Sequence, residues 1–171
     1  MKTIAKMVLV CTIILPLIQA CVGEWEHAYY LKNNADYSIS TLKLLDSWSQ
    51  EIEIYSDTTL PNEVASYSWS EAPKGRTANF WPNLVELEYF MNRRNIDTIC
   101  VFVFETEAIQ QLSWDSIRSS YHVLQRYDLS IDDVINYYPE ICFPPSEAMK
   151  HIHMWPPYGT YDENSNRKTI K

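Results

Sequence analysis

The run Ile99-Cys100-Val101-Phe102-Val103-Phe104 constrains this chain more than any other segment. It is apolar throughout and rich in β-branched and aromatic side chains, so it reads as a strand. Successive side chains of a strand point to opposite faces, so this one is expected to be central and covered on both sides. Hydrophobic residues make up 46% of the 171 residues and aromatics 13%, enough for a packed core and against wholesale disorder. The length suits one domain. The three glycines, Gly23, Gly75 and Gly159, lie far apart, which excludes a glycine-rich phosphate loop and a dinucleotide-binding turn. A formal net charge of −8 argues against general nucleic-acid binding, which needs a cationic face.

Around that strand the pattern is mostly of period two. Residues Ala28 to Leu45 read as a hairpin, with Tyr29-Tyr30-Leu31 and Tyr37 to Leu42 as arms and Asn33-Asn34-Ala35-Asp36 as the turn. Glu51 to Tyr55 and Val64 to Trp69 alternate as further strands. Trp81 to Arg94 shifts to helical spacing, with Pro82 in its first turn. Ser113 is placed to cap a helix carrying Trp114, Ile117 and Tyr121, and Val123 to Leu129 returns to strand. Ser130-Ile131-Asp132-Asp133 has the spacing of a capping box before a short helix through Asn136. Ile141-Cys142-Phe143 is expected as the last strand, ended by Pro144-Pro145. Met149 to Pro157 reads as an aromatic, proline-containing tail. The expected fold is mainly β, bordering on α+β: sandwich-like antiparallel sheets with two or three short packed helices.

The N-terminus carries a different signal. Lys2 and Lys6 precede Met7 to Ile18, where only Thr12 is polar. Such a segment is too short to span a bilayer as a helix and fits the apolar region of an export signal. Ile18-Gln19-Ala20-Cys21 resembles the lipobox of bacterial lipoproteins, with an aliphatic residue three before the cysteine and a small one immediately before it. The resemblance implies that the Cys21 thiol takes a diacylglyceryl group and becomes the new N-terminus. Ordinary cleavage after Ala20 and an uncleaved signal anchor are the alternatives. Loss of Lys2 and Lys6 would leave 12 Lys+Arg against 22 Asp+Glu, a mature charge of −10. Val22, rather than an aspartate, follows the cysteine and directs the expectation to the outer membrane. Glu24 and Glu26 form a mild acidic cluster behind it. The expected organisation is a signal over 1–20, an anchor and tether over 21–27, one β-rich domain over 28–158 and a polar tail over 159–171. Cys11 leaves with the signal and Cys21 takes lipid, so Cys100 and Cys142 remain as a possible disulfide closing a loop of about 40 residues. Two buried free thiols are the alternative.

Several blocks together resemble a group of small lipoproteins from Bacteroidota. They are Lys32-Asn33-Asn34, Tyr55 to Pro61, Asp97-Thr98-Ile99 into Val101-Phe102-Val103-Phe104, Ser113 to Arg118, Leu124-Gln125-Arg126-Tyr127-Asp128-Leu129-Ser130 with Asp133, and Met154-Trp155-Pro156-Pro157-Tyr158. The resemblance implies a lipid-anchored envelope protein with a mostly β domain, and implies no activity.

Residues with chemistry are few. His151 and His153 share a strand face and make the best metal pair, but a third ligand would need Glu147, Asp162 or His27 to fold nearby, so no metal or cofactor is expected. His122 sits between Tyr121 and Val123 with no nucleophile elbow in the chain, which favours a packed histidine over a catalytic base. Glu105/Glu107 and Asp132/Asp133 read as charged faces rather than a glycosidase pair. Arg126 and Asp128 point to one side of their strand and are expected to pair, tied to Asp133 or Arg118. Trp25, Trp48, Trp69, Trp81 and Trp155 fall near element ends, where aromatic platforms for sugars occur; core packing is the alternative. The expectation is therefore a non-enzymatic binding or assembly protein of the envelope, held to the membrane by its N-terminal lipid. A glycan-binding accessory module is the alternative and a metal-assisted hydrolase the less favoured one.

Overall fold

The computed structural model describes residues 29–43, 59–64, 69–81, 84–137 and 141–160. Strands β1 (Tyr29–Asn33), β2 (Ile39–Lys43), β3 (Trp69–Ala72) and β4 (Thr77–Trp81) come first, then helix α1 (Leu84–Arg94) and strand β5 (Thr98–Glu105). Helices α2 (Thr106–Gln111) and α3 (Trp114–Ser120), strand β6 (Gln125–Ser130) and helix α4 (Ile131–Tyr137) follow. Strand β7 (Cys142–Phe143), a 3-10 turn over Glu147–Met149 and strand β8 (His153–Trp155) complete the described elements. They form a three-stranded sheet, β4-β1-β7, and a five-stranded sheet, β3-β2-β5-β6-β8. The β-rich, sandwich-like architecture anticipated from the sequence is the one observed. Among the described residues no helix is long and apolar enough to cross a membrane.

β5 lies at the centre of the larger sheet, antiparallel to β2 and β6. Its alternation divides the interior in two. Ile99, Val101 and Val103 join a core filled from the small sheet by Leu31, Ala78 and Phe143, and from α1 and α4 by Leu87, Met91 and Val134. Phe102 and Phe104 face the other way, into a smaller core closed by Leu42, Leu60 and Val123 and by Ile117 of α3. The larger sheet is thus the middle layer. The small sheet, α1 and α4 cover one face, and α2, α3 and the Leu60 segment cover the other. Tyr127, fully buried, spans the main core: its hydroxyl donates to the Cys142 carbonyl at 2.8 Å and ties β6 to β7 across the sheets.

The hairpin expected over 28–45 does not form. Its arms exist as β1 and β2 but lie in different sheets. β1 pairs with β4 from Tyr29↔Trp81 to Lys32↔Thr77, and β2 pairs with β3 from Ile39↔Ala72 to Leu42↔Trp69. The two pairs form one long antiparallel ribbon, creased in the middle, that passes from one sheet into the other. Asn33 fixes the crease on the inner arm. Its buried side-chain amide donates to the carbonyls of Tyr37 at 2.7 Å and Ala72 at 2.9 Å, and its Oδ1 accepts from the Ala35 N–H at 2.9 Å. Its backbone N–H donates to Arg76 O and its carbonyl accepts from Gly75 N. The turn chemistry read at Asn33 is therefore real, but it bends a ribbon rather than reversing a chain. On the opposing arm Gly75, at φ 70, takes the left-handed conformation that the corner requires. Ala35, Ala72 and Ala78 keep the crease small enough for the sheets to converge.

The helix signals are realised closely. Ser113 Oγ accepts the Ser116 N–H and caps α3. Ser130 and Asp133 make the reciprocal capping box, with Ser130 N donating to Asp133 Oδ2 at 2.9 Å and Asp133 N donating to Ser130 Oγ at 3.1 Å. Helix α2 has no side-chain signal at its start: Glu105 stands at its N-cap but its side chain makes no capping hydrogen bond. Cys142–Phe143 is not the last strand, since β8 forms from the segment read as a tail and pairs with β6. The strand expected over Glu51–Tyr55 lies outside the described residues, as do the segments expected as signal and anchor and the residues beyond 160. Of the strand expected over Val64–Trp69, only its last residue begins a described strand.

Asn33→Ala leaves two carbonyls and one N–H without their partner at the crease. The expected loss is about 2–4 kcal/mol of unfolding free energy, against at most about 0.5 kcal/mol for Asn34→Ala at the exposed neighbouring position. Urea unfolding of both variants tests this, and equal losses would contradict the role given to Asn33.

Candidate functional site

Two constellations lie on the α2–α3 side of the larger sheet. The first is polar and follows from strand register. Cys100 on β5, Asp128 on β6 and His153 on β8 are direct cross-strand partners, one beside the next. Phe102, Arg126 and Trp155 form the adjoining row. Period two puts Arg126 on the same face as Asp128, and its Nε donates to Asp128 Oδ1 at 2.7 Å, both side chains being nearly buried. The Cys100 thiol donates to the same oxygen at 3.1 Å, while Arg126 Nη2 donates to Cys100 Sγ at 3.4 Å. His153 Nδ1 lies 2.6 Å from Asp128 Oδ2. The guanidinium carbon also sits 5.6 Å above the Phe102 ring.

The electrostatics follow from this geometry. Burial pushes the Cys100 thiol up to about 12, helped by the Asp128 charge and the hydrogen bond to it, against the opposing pull of Arg126. At Asp128 burial works to raise the carboxyl, but hydrogen bonds from Arg126, Cys100 and His153 outweigh it and hold the group below the ordinary carboxylate range. Burial likewise works against the Arg126 charge, and the bond to Asp128 with the neighbouring charges outweighs it, so Arg126 stays charged. A thiol, a carboxylate and a histidine in a row have the composition of a nucleophilic triad but a different order of contacts. Asp128 stands between Cys100 and His153 and receives both, and the thiol is held as the neutral SH. A thiolate is needed for attack on a substrate; in the geometry observed the contacts through Asp128 link β8 and β6 to β5.

The second constellation is aromatic. The Trp69 ring meets Phe104 at 5.3 Å and 68°, and Trp114 at 6.0 Å and 78°. Phe104 and Trp114 complete the triangle at 6.1 Å. Trp114 Nε1 donates to the Pro61 carbonyl at 3.0 Å, which fastens α3 to the 59–64 segment. An open cleft of about 440 Å³ runs beside these rings, walled by Val64, Trp69, Leu112 and Trp114, with Asn62 and Glu63 as its polar groups.

The residues read from sequence distribute unevenly over these sites. Of the five tryptophans proposed as a platform, Trp69 lines the cleft, edge-on to its neighbours rather than coplanar with another ring. Trp155 is half-buried on β8, beside the polar row. Trp81 ends β4 opposite Tyr29. Trp25 and Trp48, like Cys21, lie outside the described residues. Trp114, which the sequence places only on a helix face, is the second ring of the cleft.

The Cys100–Cys142 disulfide is not formed and both thiols are free. The reason is the face each occupies. Cys100 projects with Phe102 and Phe104 towards the smaller core, whereas Cys142 belongs to the main core, so the larger sheet stands between them. Cys142 Sγ contacts the Pro144 carbonyl at 3.3 Å and Met149 Sδ at 3.9 Å instead. The Arg126–Asp128 pair forms as read, but its further partners are Cys100 and His153 rather than Asp133 or Arg118. Asp133 is occupied by the capping box, and Arg118 of α3 pairs with Asp115 on the same helix and with Asn62 of the 59–64 segment. His151 is exposed on a turn while His153 turns to Asp128. Among the described residues no group of three His, Cys, Asp or Glu side chains is placed to hold a metal ion. His122 is half-buried, and its backbone N–H closes α3 on Ile117 O. Glu107 bonds Gln111 along α2, and Glu105 is buried at the end of β5.

No protein-family model matches the chain, and neither a curated protein nor a solved structure is significantly similar to it.

Two outcomes are expected from the polar row. Arg126→Met alone strands the Asp128 carboxylate and costs about 3–5 kcal/mol, whereas Arg126→Met with Asp128→Leu costs clearly less; a double-mutant unfolding cycle measures the difference. The folded thiol titrates above the unfolded one, so the stability Cys100 contributes is complete below the ordinary cysteine range near 8.5 and falls as pH rises towards 12. Between pH 8 and 10 the stability of Cys100→Ala should therefore decline less steeply than that of the parent chain. A parallel decline in the two proteins would remove the thiol from the account.

Proposed function

We propose that this chain is a lipid-anchored protein of the cell envelope, held in the outer membrane, and that it acts by binding rather than catalysis. The observation that carries the reading is the arrangement of Lys2, Lys6, the apolar run to Ile18 and the Ile18-Gln19-Ala20-Cys21 tetrapeptide. It combines an export signal with a cysteine positioned for acylation. Three acyl chains would hold the protein to a bilayer far more durably than one, which gives only marginal binding. A binding role is supported by Cys100, the most chemically suggestive side chain of the described region, being locked as a hydrogen-bonded neutral thiol. It is supported further by the Trp69–Trp114 cleft, which combines aromatic walls with two polar groups in the manner of ligand sites.

The cleft also favours a narrower reading, in which the ligand is a carbohydrate. One tryptophan face can stack on a sugar ring while Asn62 and Glu63 bond its hydroxyls. The edge-on angle between Trp69 and Trp114 suits a single stacked ring rather than a flat two-ring platform.

Intact mass of the protein extracted from membranes should match a chain beginning at an acylated Cys21, and Cys21→Ala should leave the membrane fraction. An unmodified Cys21, or a retained Met1, would overturn the anchor. For the narrower reading, affinity electrophoresis through soluble polysaccharides should show retardation that Trp69→Ala removes while its unfolding transition stays cooperative. Unchanged mobility of both proteins across plant, fungal and bacterial glycans would reject carbohydrate as the ligand.

A further inference from the structure

Helix α1 is amphipathic, and its outer face is unusual. Leu87 and Met91 point into the main core, whereas Val85 is 76% exposed and Tyr89 56% exposed. These two are the most exposed large apolar side chains among the described residues. They lie one turn apart on the same stripe, followed at the same spacing by Arg93, whose Nη1 donates to the Tyr89 hydroxyl at 3.3 Å. An aliphatic residue, a tyrosine and an arginine in line match the chemistry of a bilayer interface. There the apolar body enters the acyl boundary, the phenol sits among headgroups, and a guanidinium reaches phosphate.

The topology places this stripe near the anchor. β1 begins at Tyr29, eight residues after Cys21, a reach of about 28 Å when fully extended. Tyr29 pairs with Trp81 at the end of β4, and α1 starts three residues later at Leu84. The chain arriving from the lipid and the first turn of α1 thus leave the small sheet at the same end. The exposed patch is too small to hold a protein on a membrane unaided. A short tether changes this, because the contact becomes intramolecular and a weak interaction is sufficient. Glu86 and Glu88 flank the stripe and are exposed, which disfavours a strongly anionic surface.

Resting on the acylation of Cys21 proposed above, we propose that the Val85–Tyr89–Arg93 stripe of α1 is a membrane-docking face. It seats the anchored domain on a zwitterionic lipid surface. Docking there directs α1 and the small sheet at the bilayer and leaves α3, with the Trp69–Trp114 cleft, on the opposite layer, open to solution.

The test uses the full acylated protein, its lipid verified by intact mass, in phosphatidylcholine vesicles. A nitroxide is attached at Val85→Cys and, in a second protein, at Ser119→Cys on α3. Mock-labelled parent protein reports any reaction at Cys100 or Cys142. Oxygen should relax the label at 85 several-fold more effectively, relative to a nickel chelate, than the label at 119, and the difference should vanish in the Cys21→Ala background. Equal accessibility at both positions, in protein that carries its lipid and sediments with vesicles, overturns the docking face while leaving the anchor intact. Dipolar broadening between labels at 85 that survives dilution into excess vesicles assigns the face to a second copy of the chain and also overturns the proposal. Protein lacking the acyl mass and failing to sediment removes the tether, and both readings fall together.

Discussion

Burial of β5 on both faces is the constraint from which the remaining architecture follows. Ile99, Val101 and Val103 must be covered on one side of the larger sheet, and Phe102 and Phe104 on the other. One sheet with a single helical layer would leave one of these sets in water, at roughly 1.5–3 kcal/mol for each large side chain left exposed. The chain meets the demand with two unlike covers. The main core is closed by a second sheet with α1 and α4. The smaller one is closed by α2, α3 and the segment around Leu60, and it sets Phe102, Phe104, Trp69 and Trp114 among aliphatic side chains.

The creased ribbon supplies the second sheet without a separate set of strands. Two continuous arms pair with each other on either side of the crease, β1 with β4 and β2 with β3, and change sheets together at Asn33 and Gly75. A crease exposes backbone groups that flat pairing would satisfy. In a buried corner each unmet group is costly, so a side chain with both donors and an acceptor is required there. Asn33 meets that requirement, and the alanines around it let the two sheets close on one another.

Across the same sheet, the row Cys100–Asp128–His153 shows how register gathers reactive residue types into one hydrogen-bonded line. Each member is placed by register, and the contacts run through the carboxylate rather than between thiol and imidazole. The proton stays on sulfur because burial and a neighbouring negative charge both disfavour the thiolate. What the row achieves is attachment of the short edge strand β8, whose three residues offer few backbone bonds of their own. The cleft beside Trp69 and Trp114 lies on this side too. The side bearing the aromatic opening is thus braced by buried charge, while the opposite layer presents α1 and receives the chain from Cys21.

Local signals in the sequence determined the elements. The double-sided apolar run specified β5, Ser113 and the Ser130–Asp133 box specified where two helices begin, and period two put Arg126 and Asp128 on one face. These are contacts between near neighbours, whose geometry is fixed by backbone periodicity alone. Tertiary structure decided everything that depends on which strand lies beside which. It turned an apparent hairpin into a creased ribbon, set Cys100 and Cys142 on opposite sides of a sheet, and brought His153 to Asp128. It also placed Trp114 beside Trp69. Such pairings join residues tens of positions apart, and register, not composition, selects them: a shift of one residue would reverse every face.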